Sequence, residues 1–266
     1  MKAMKLYDRV HRIHRELAAQ GLTPGSPLKV SDLTPFDQYH YHGTKAVEEA
    51  IAALGLKPGM RVLDIGAGIG GPARYIAEKS GAHVTALELQ EDLSAVAEDL
   101  TRRCSLSALV DHRCGNVLDG VEESFDAIVS MLCFLHIPDR ARLFAVCRRS
   151  LGENGKLYVE DFALRREATT SEAEALAIKV QCHYLPAAEE YRQHLLDAGF
   201  RHIEIADVTD DWTSFTAERL AAYRSARPRN IAMHGAEVVE GLEDFYATVA
   251  GLFADGAISG VKITAS

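Results

Sequence analysis

The chain has 266 residues, 47% of them hydrophobic and 25% charged, proportions that exclude disorder, collagen and coiled coil as the dominant state. Basic residues number 29 and acidic residues 38, giving a net charge of −9. That balance disfavours a nucleic-acid or anionic-membrane binder, which would need a basic face.

The first 20 residues alternate charged and apolar positions at helical spacing and end at Gly21. They hold no apolar stretch of the secretory kind. His11, His14 and the arginines beside them read as a solvated helix face. The longest apolar stretch, about 127–135, falls far short of the ~20 residues of a membrane span, so a cytoplasmic protein with no membrane span is expected. Cysteines stand at 104, 114, 133, 147 and 182. Their odd number and the lack of a C-x2-C pair argue for buried thiols and against a disulfide scaffold or a structural zinc site.

A Pro/Gly-rich loop, TPGSP (23–27), leads to a polar-aromatic segment, DQYHYHG (37–43). A helix is predicted over 44–54, where Ala46, Val47, Ala50, Ile51 and Leu54 share one face. Strand and helix then alternate, with strands over 60–65, 83–89, 108–114, 125–132 and 155–162 and helices over 71–80, 91–103 and 139–150. The last third adds a helix near 171–182, a helix over 186–198, a strand over 200–208, helical stretches near 211–226 and 236–254, and a strand over 258–265.

Such alternation implies a parallel sheet covered on both faces. The expected fold is α/β, Rossmann-like and doubly wound. Its sheet has seven mostly parallel strands with an antiparallel edge strand, and N- and C-terminal helical additions form a lid. The expected divisions are a lid segment (1–43), a cofactor-binding core (44–162), a helical insertion (163–199) and edge strands with intervening helices (200–266). The single Trp212 is expected to pack the late helices on the edge strands.

The strongest local signal is VLDIGAGIGG (62–71), in which Gly66, Gly68 and Gly71 satisfy G-x-G-x-x-G between a strand and a helix. Glycine permits the tight turn and the close approach of a ligand. Glu88 ends the second strand, 22 residues after Gly66, where a carboxylate can accept from both ribose hydroxyls. Asp64, just ahead of the loop, would repel a pyrophosphate but pair with an ammonium. S-adenosylmethionine carries an ammonium, a ribose and an adenine and no phosphate, so this charge logic favours it over a dinucleotide. An NAD(P)-dependent oxidoreductase is the alternative: it explains the glycines and Glu88, but not Asp64.

With GNVL (115–118) and FDAIVSMLCFLHIPDR (125–140), the glycine loop resembles a class I S-adenosylmethionine-dependent methyltransferase. DQYHYHGTKAV and LPAAEEYRQHLLDAGF resemble the small-molecule group of phosphoethanolamine, sarcosine/dimethylglycine and tocopherol methyltransferases. The resemblance implies that Asp64, Gly66 and Gly68 hold the methionine portion and Glu88 the ribose. Leu89, Asn116 and Val117 would meet the adenine, and Met131 the methyl end. Tyr41 and His42 would close over the cofactor, and S-adenosylhomocysteine would be the product. Asn116 stands where the family commonly has Asp, and its amide oxygen can still accept a hydrogen bond.

His136, beyond the fourth strand, is the candidate catalytic residue, with Tyr39, Leu132 and Tyr184 as candidate contacts of the acceptor. Tyr39, Tyr41 and Tyr184 could meet a cation through their ring faces. In the phosphoethanolamine relatives an acid stands four residues before this histidine. Leu132 occupies that position here, which argues against a phosphobase or glycine-type substrate. The expected partner is a small-molecule methyl acceptor with a nitrogen or oxygen nucleophile. No metal site is expected, and the C-terminal helices leave room for a homodimer.

Overall fold

The structure, a computed structural model, describes residues 12–266. Strands β1 (Arg61–Ile65), β2 (His83–Glu88), β3 (Val110–Cys114), β4 (Phe125–Met131) and β5 (Leu151–Leu164) form a parallel sheet. Strands β6 (Ile203–Asp207) and β7 (Ile258–Ala265) complete it in the order β3-β2-β1-β4-β5-β7-β6. β7 is antiparallel to both β5 and β6. The antiparallel pairing thus falls at the expected end of the sheet, with β7 one place in from the edge.

Both faces of the sheet are buried, and this is why its strands read as continuous apolar runs. Val62, Val84 and Val129 pack with Ala46, Val47, Ala73 and Ile76 of helices α3 (Thr44–Leu54) and α4 (Gly71–Ser80). Leu63, Ile65, Leu157 and Ile263 face the other way. They meet Phe144 and Cys147 of α6 (Arg140–Ser150) and Tyr191 of α8 (Ala188–Asp197). α5 (Glu91–Arg103) joins β2 to β3.

Helices α1 (Arg12–Ala19) and α2 (Val30–Asp37) form the N-terminal cover. Ile13, Leu17 and Leu33 pack with Ile69, Leu93 and Leu100 above the glycine loop and α5. Burying each such side chain stabilises by about 1.5–3 kcal/mol before entropy is counted. α2 was not expected from the sequence. Pro35 inside it removes one hydrogen-bond donor, and its eight residues are too few for a clear helical stripe. His11 lies outside the described residues.

The solvated face expected on α1 is instead a docking face. Arg15 donates to the carbonyl of His234, and buried Glu16 accepts from His234 Nε2 at 2.9 Å and from Arg229 Nη2 at 2.7 Å. Both partners sit on α10 (Arg227–His234), a helix that also went unforeseen. It starts beyond Ala226 with no glycine to mark the break.

Helices α7 (Thr170–Lys179), α9 (Thr209–Ser225) and α11 (Ala236–Ala254) form the remaining cover. Trp212 is fully buried against Phe162, Phe253 and Tyr41, as expected of a residue that seats the late helices on the edge strands. A Cβ at Gly260 of β7 would lie 2.4 Å from its ring, so glycine is required there. All five cysteines are free, but only Cys147 and Cys182 are buried; Cys104 and Cys133 are half-buried and Cys114 is exposed. Among the described residues no helix is long and apolar enough to cross a membrane, and no group of three or more His, Cys, Asp or Glu could hold a metal.

Candidate active site

A cleft opens at the carboxyl ends of β1, β2 and β4, where the strand order reverses. With its open mouth it encloses about 1030 Å³. Its floor is the glycine loop. Gly66 and Gly68 have φ of 78° and 55°, a region that side-chain-bearing residues rarely adopt. A Cβ at Gly66 would lie 2.1 Å from Cys133 Sγ, and one at Gly71 2.3 Å from the carbonyl oxygen of Asp37. The protein's own packing therefore demands these glycines, independently of any ligand.

The loop and the end of β2 are one unit. The Gly68 N–H donates to Glu88 Oε2 and the Gln90 N–H to Oε1, each at 2.9 Å. Burial raises the Glu88 pKa, and the backbone donors oppose the rise. Each oxygen keeps a lone pair for a hydroxyl donor.

Asp64 on β1 is 1% exposed, and its Oδ2 has no hydrogen-bond partner. Burial, and next the charge of Glu88, push its pKa up to about 7. A buried carboxylate without a donor costs several kcal/mol, on the order of 3–5 where a partner has been removed. A hydrogen-bond donor entering the cleft could satisfy this oxygen.

The roof is the segment after α2, contributed by Asp37, Tyr39 and His40. Arg74 anchors it. Its Nη2 donates to Asp37 Oδ2 at 2.9 Å and to the Ile69 carbonyl at 2.7 Å, while Nη1 donates to the Ala97 carbonyl and Thr101 Oγ1. Burial lifts the Tyr39 phenol to about 12 and lowers His40 to about 4. His40 Nδ1 meets the Tyr41 carbonyl at 3.0 Å, and Nε2 meets the Gln38 side-chain amide at 2.8 Å.

The remaining wall is the end of β4 and the turn beyond it: Met131, Leu132, Cys133, His136 and Ile137. Leu132 holds a φ of 53°, and its N–H donates to the Glu160 carbonyl at 2.7 Å. Such left-handed backbone in a leucine persists only where the surroundings impose it, and it clusters at functional sites. His136 Nδ1 lies 3.2 Å from the carbonyl oxygen of Gln181. A carbonyl only accepts, so Nδ1 carries the hydrogen and Nε2 the lone pair. Burial lowers the pKa of His136 to about 4, so the ring is neutral near neutral pH.

Eleven of the expected site residues line this cleft: Tyr39, Asp64, Gly66, Gly68, Glu88, Leu89, Asn116, Val117, Met131, Leu132 and His136. Three do not, Tyr41, His42 and Tyr184, and the structure places each of them elsewhere. Tyr41 is turned into the C-terminal core, with its ring centroid 4.8 Å from that of Trp212 and 5.1 Å from that of Phe215. Its neighbour His42 pairs with Asp211 at 2.7 Å, outside the cleft. His42 and Gly43, both with positive φ, then turn the chain into α3. Tyr184 hydrogen-bonds His194 at 3.1 Å and lies beside the Arg140 guanidinium, behind the β4 wall. Asn116 is in place, but its amide oxygen already accepts from the Leu118 N–H at 3.0 Å, capping the turn after β3. Asp37, His40, Cys133 and Ile137 also line the cleft and were not singled out. Asp37 and His40 stand within the DQYHYH segment, so the signal was present without showing which residues face inward.

Residues 63–159 match a family described as a methyltransferase domain. Over 180 residues the chain is 34% identical to phosphoethanolamine N-methyltransferase 1 of Zea mays, covering 67% of this chain and 35% of that one. It is 29% identical over 179 residues to the glycine/sarcosine/dimethylglycine N-methyltransferase of Actinopolyspora halophila, covering 66% and 32%. The chain thus spans about a third of the length of these curated relatives. A solved structure of Haemonchus contortus phosphoethanolamine N-methyltransferase 2 in complex with S-adenosyl-L-methionine shares the fold. Its TM-score is 0.80 at 23% identity, over 86% of this chain and 54% of that one. Family match, relatives and fold agree, and residues 63–159 of the chain form a methyltransferase domain.

Proposed function

We propose that the cleft binds S-adenosylmethionine and that the chain transfers its methyl group to a small-molecule acceptor with a nitrogen or oxygen nucleophile. The observation that carries this reading is the unpartnered, buried Oδ2 of Asp64 beside Glu88. An amino acid's ammonium supplies the missing donor, and a ribose supplies hydroxyls for the free lone pairs of Glu88. Nothing in the family match or the relatives supports the dinucleotide alternative.

When bound, S-adenosylmethionine supplies a methyl group already activated on a sulfonium. Asp64, with the Gly66 and Gly68 backbone, would hold the methionine end and Glu88 the ribose. Leu89, Asn116 and Val117 would surround the adenine. With Glu88 at the end of β2 and Asp64 on β1, the reacting end would lie toward β4, where Met131, Leu132 and His136 stand. The roof of Tyr39 and His40 excludes water, and alignment in a dry site supplies much of the rate of such a displacement.

The test is thermal unfolding with S-adenosylhomocysteine, compared with NAD(H). A ligand at 100 times its Kd stabilises by about 2.7 kcal/mol, which at this size raises Tm on the order of 5 °C. The rise is expected with S-adenosylhomocysteine alone. A rise with NAD(H) alone overturns the reading.

A further inference from the structure

We infer that the methyl acceptor is an uncharged molecule with an apolar body and an acidic hydroxyl, of the phenol class, whose proton passes to Nε2 of His136. The inference rests on the cofactor reading above and concerns the β4 end of the same cleft.

Charge is the first ground. Among the described residues no lysine or arginine lines the cleft, and its ionisable acids are Asp37, Asp64 and Glu88. At the β4 end, where the acceptor would meet the methyl group, an anionic acceptor would find no cationic side chain among the lining residues, and an unpaired buried charge is among the most costly groups to accommodate. Two arginines buried in the surrounding fold, Arg74 and Arg140, are not among the lining residues. Arg74 is fully buried, and its two Nη atoms donate to Asp37, Thr101 and two carbonyls. Arg140 is held between the rings of Tyr184 and Tyr191.

Polarity is the second ground. The wall facing the transferred methyl is built from Met131, Leu132, Cys133 and Ile137, and Cys133 is a thiol whose pKa burial raises, so it stays neutral. An aliphatic amine arrives at neutral pH as an ammonium and needs an anionic partner at this end of the cleft. Leu132 supplies none.

The third ground is the single base. His136 presents the Nε2 lone pair because Gln181 fixes the proton on Nδ1. Its basicity is weak, so it takes a proton only from a group that is acidic or becomes so as the methyl arrives. A phenolic hydroxyl meets this condition, and an aliphatic alcohol meets it far less well. In the step, the acceptor O–CH3 bond forms as the sulfonium S–CH3 bond breaks. The hydroxyl proton moves to His136, and S-adenosylhomocysteine leaves as a neutral thioether, with the proton then lost to solvent.

The test is calorimetric titration of the S-adenosylhomocysteine complex of the full chain with 4-ethylphenol, phosphoethanolamine and sarcosine. Turnover of each is measured in parallel with methyl-labelled cofactor. Expected are binding of 4-ethylphenol about tenfold tighter than either charged compound, methylation at its oxygen, and loss of that methylation in His136→Ala with phenol binding retained. Tighter binding or faster methylation of phosphoethanolamine or sarcosine overturns the inference. So does a complex that holds S-adenosylhomocysteine yet shows no saturable phenol binding. A chain that fails to bind S-adenosylhomocysteine overturns the cofactor reading and this inference together, and the first titration distinguishes that case.

Discussion

Arg74 Nη2 and Asp37 Oδ2 lie 2.9 Å apart with neither side chain exposed to solvent, so the roof of the cleft is fastened to the helix that starts from its floor. Removing one member of a buried pair strands the other, at a cost of about 3–5 kcal/mol. Arg74→Met is therefore expected to lower Tm on the order of 10 °C, read by thermal unfolding. It should also weaken S-adenosylhomocysteine binding, because Tyr39 and His40 lose their anchor.

Asp64 makes cofactor binding depend on pH. An ammonium beside its carboxylate favours the charged form, whereas the empty site holds the proton up to about pH 7. Binding below that pH must release a proton, so Kd for S-adenosylhomocysteine is expected to rise about tenfold per pH unit below about 7 and to level off above it. The sign for the empty protein is the opposite. There the native state keeps a proton that the unfolded chain loses in the ordinary carboxylate range, so this group lowers stability as pH rises toward about 7. Isothermal titration from pH 5 to 8 checks the first statement, and Asp64→Asn should flatten the profile while weakening binding.

His136 predicts a different profile. Its ring is neutral down to about pH 4, so kcat is expected to stay level between pH 5 and 8 while kcat/KM for the cofactor falls below 7 through Asp64. His136→Ala should lower kcat by about 10²–10⁴-fold and leave S-adenosylhomocysteine binding intact. A kcat that instead falls in step with Asp64 would assign the proton transfer to another group.

Two glycines separate packing from backbone strain. Gly71→Ala would bring a Cβ to 2.3 Å from the Asp37 carbonyl and push the roof outward, whereas Gly68 has only Tyr39 nearby, at 3.9 Å. Overpacking of this kind costs about 1–3 kcal/mol. Stopped-flow release of S-adenosylhomocysteine is expected to be faster in Gly71→Ala than in Gly68→Ala, whose penalty is its φ of 55°.

The core of this fold was legible because burial on both faces gives β1, β2 and β4 uninterrupted apolar runs, and because Asp64 and Glu88 sit where those runs stop. Helices 44–54, 71–80, 91–103 and 236–254 match their expected bounds. What escaped the sequence depends on contacts remote along the chain. Nothing near Glu16 announces Arg229 and His234, more than 200 positions away. Tyr39 and Tyr41 look equivalent in DQYHYH, yet the first lines the cleft and the second packs against Trp212.

The position of β7 bears on how the chain is made. In the sheet β6 pairs only with β7, and β7 joins it to β5. During synthesis, residues 203–207 leave the ribosome more than fifty positions ahead of their only sheet partner. The five parallel strands can assemble first, while β6 and the aromatic layer around Trp212 wait for residues 258–265. Translation through residues 258–265 is therefore the step that completes the sheet and its aromatic layer.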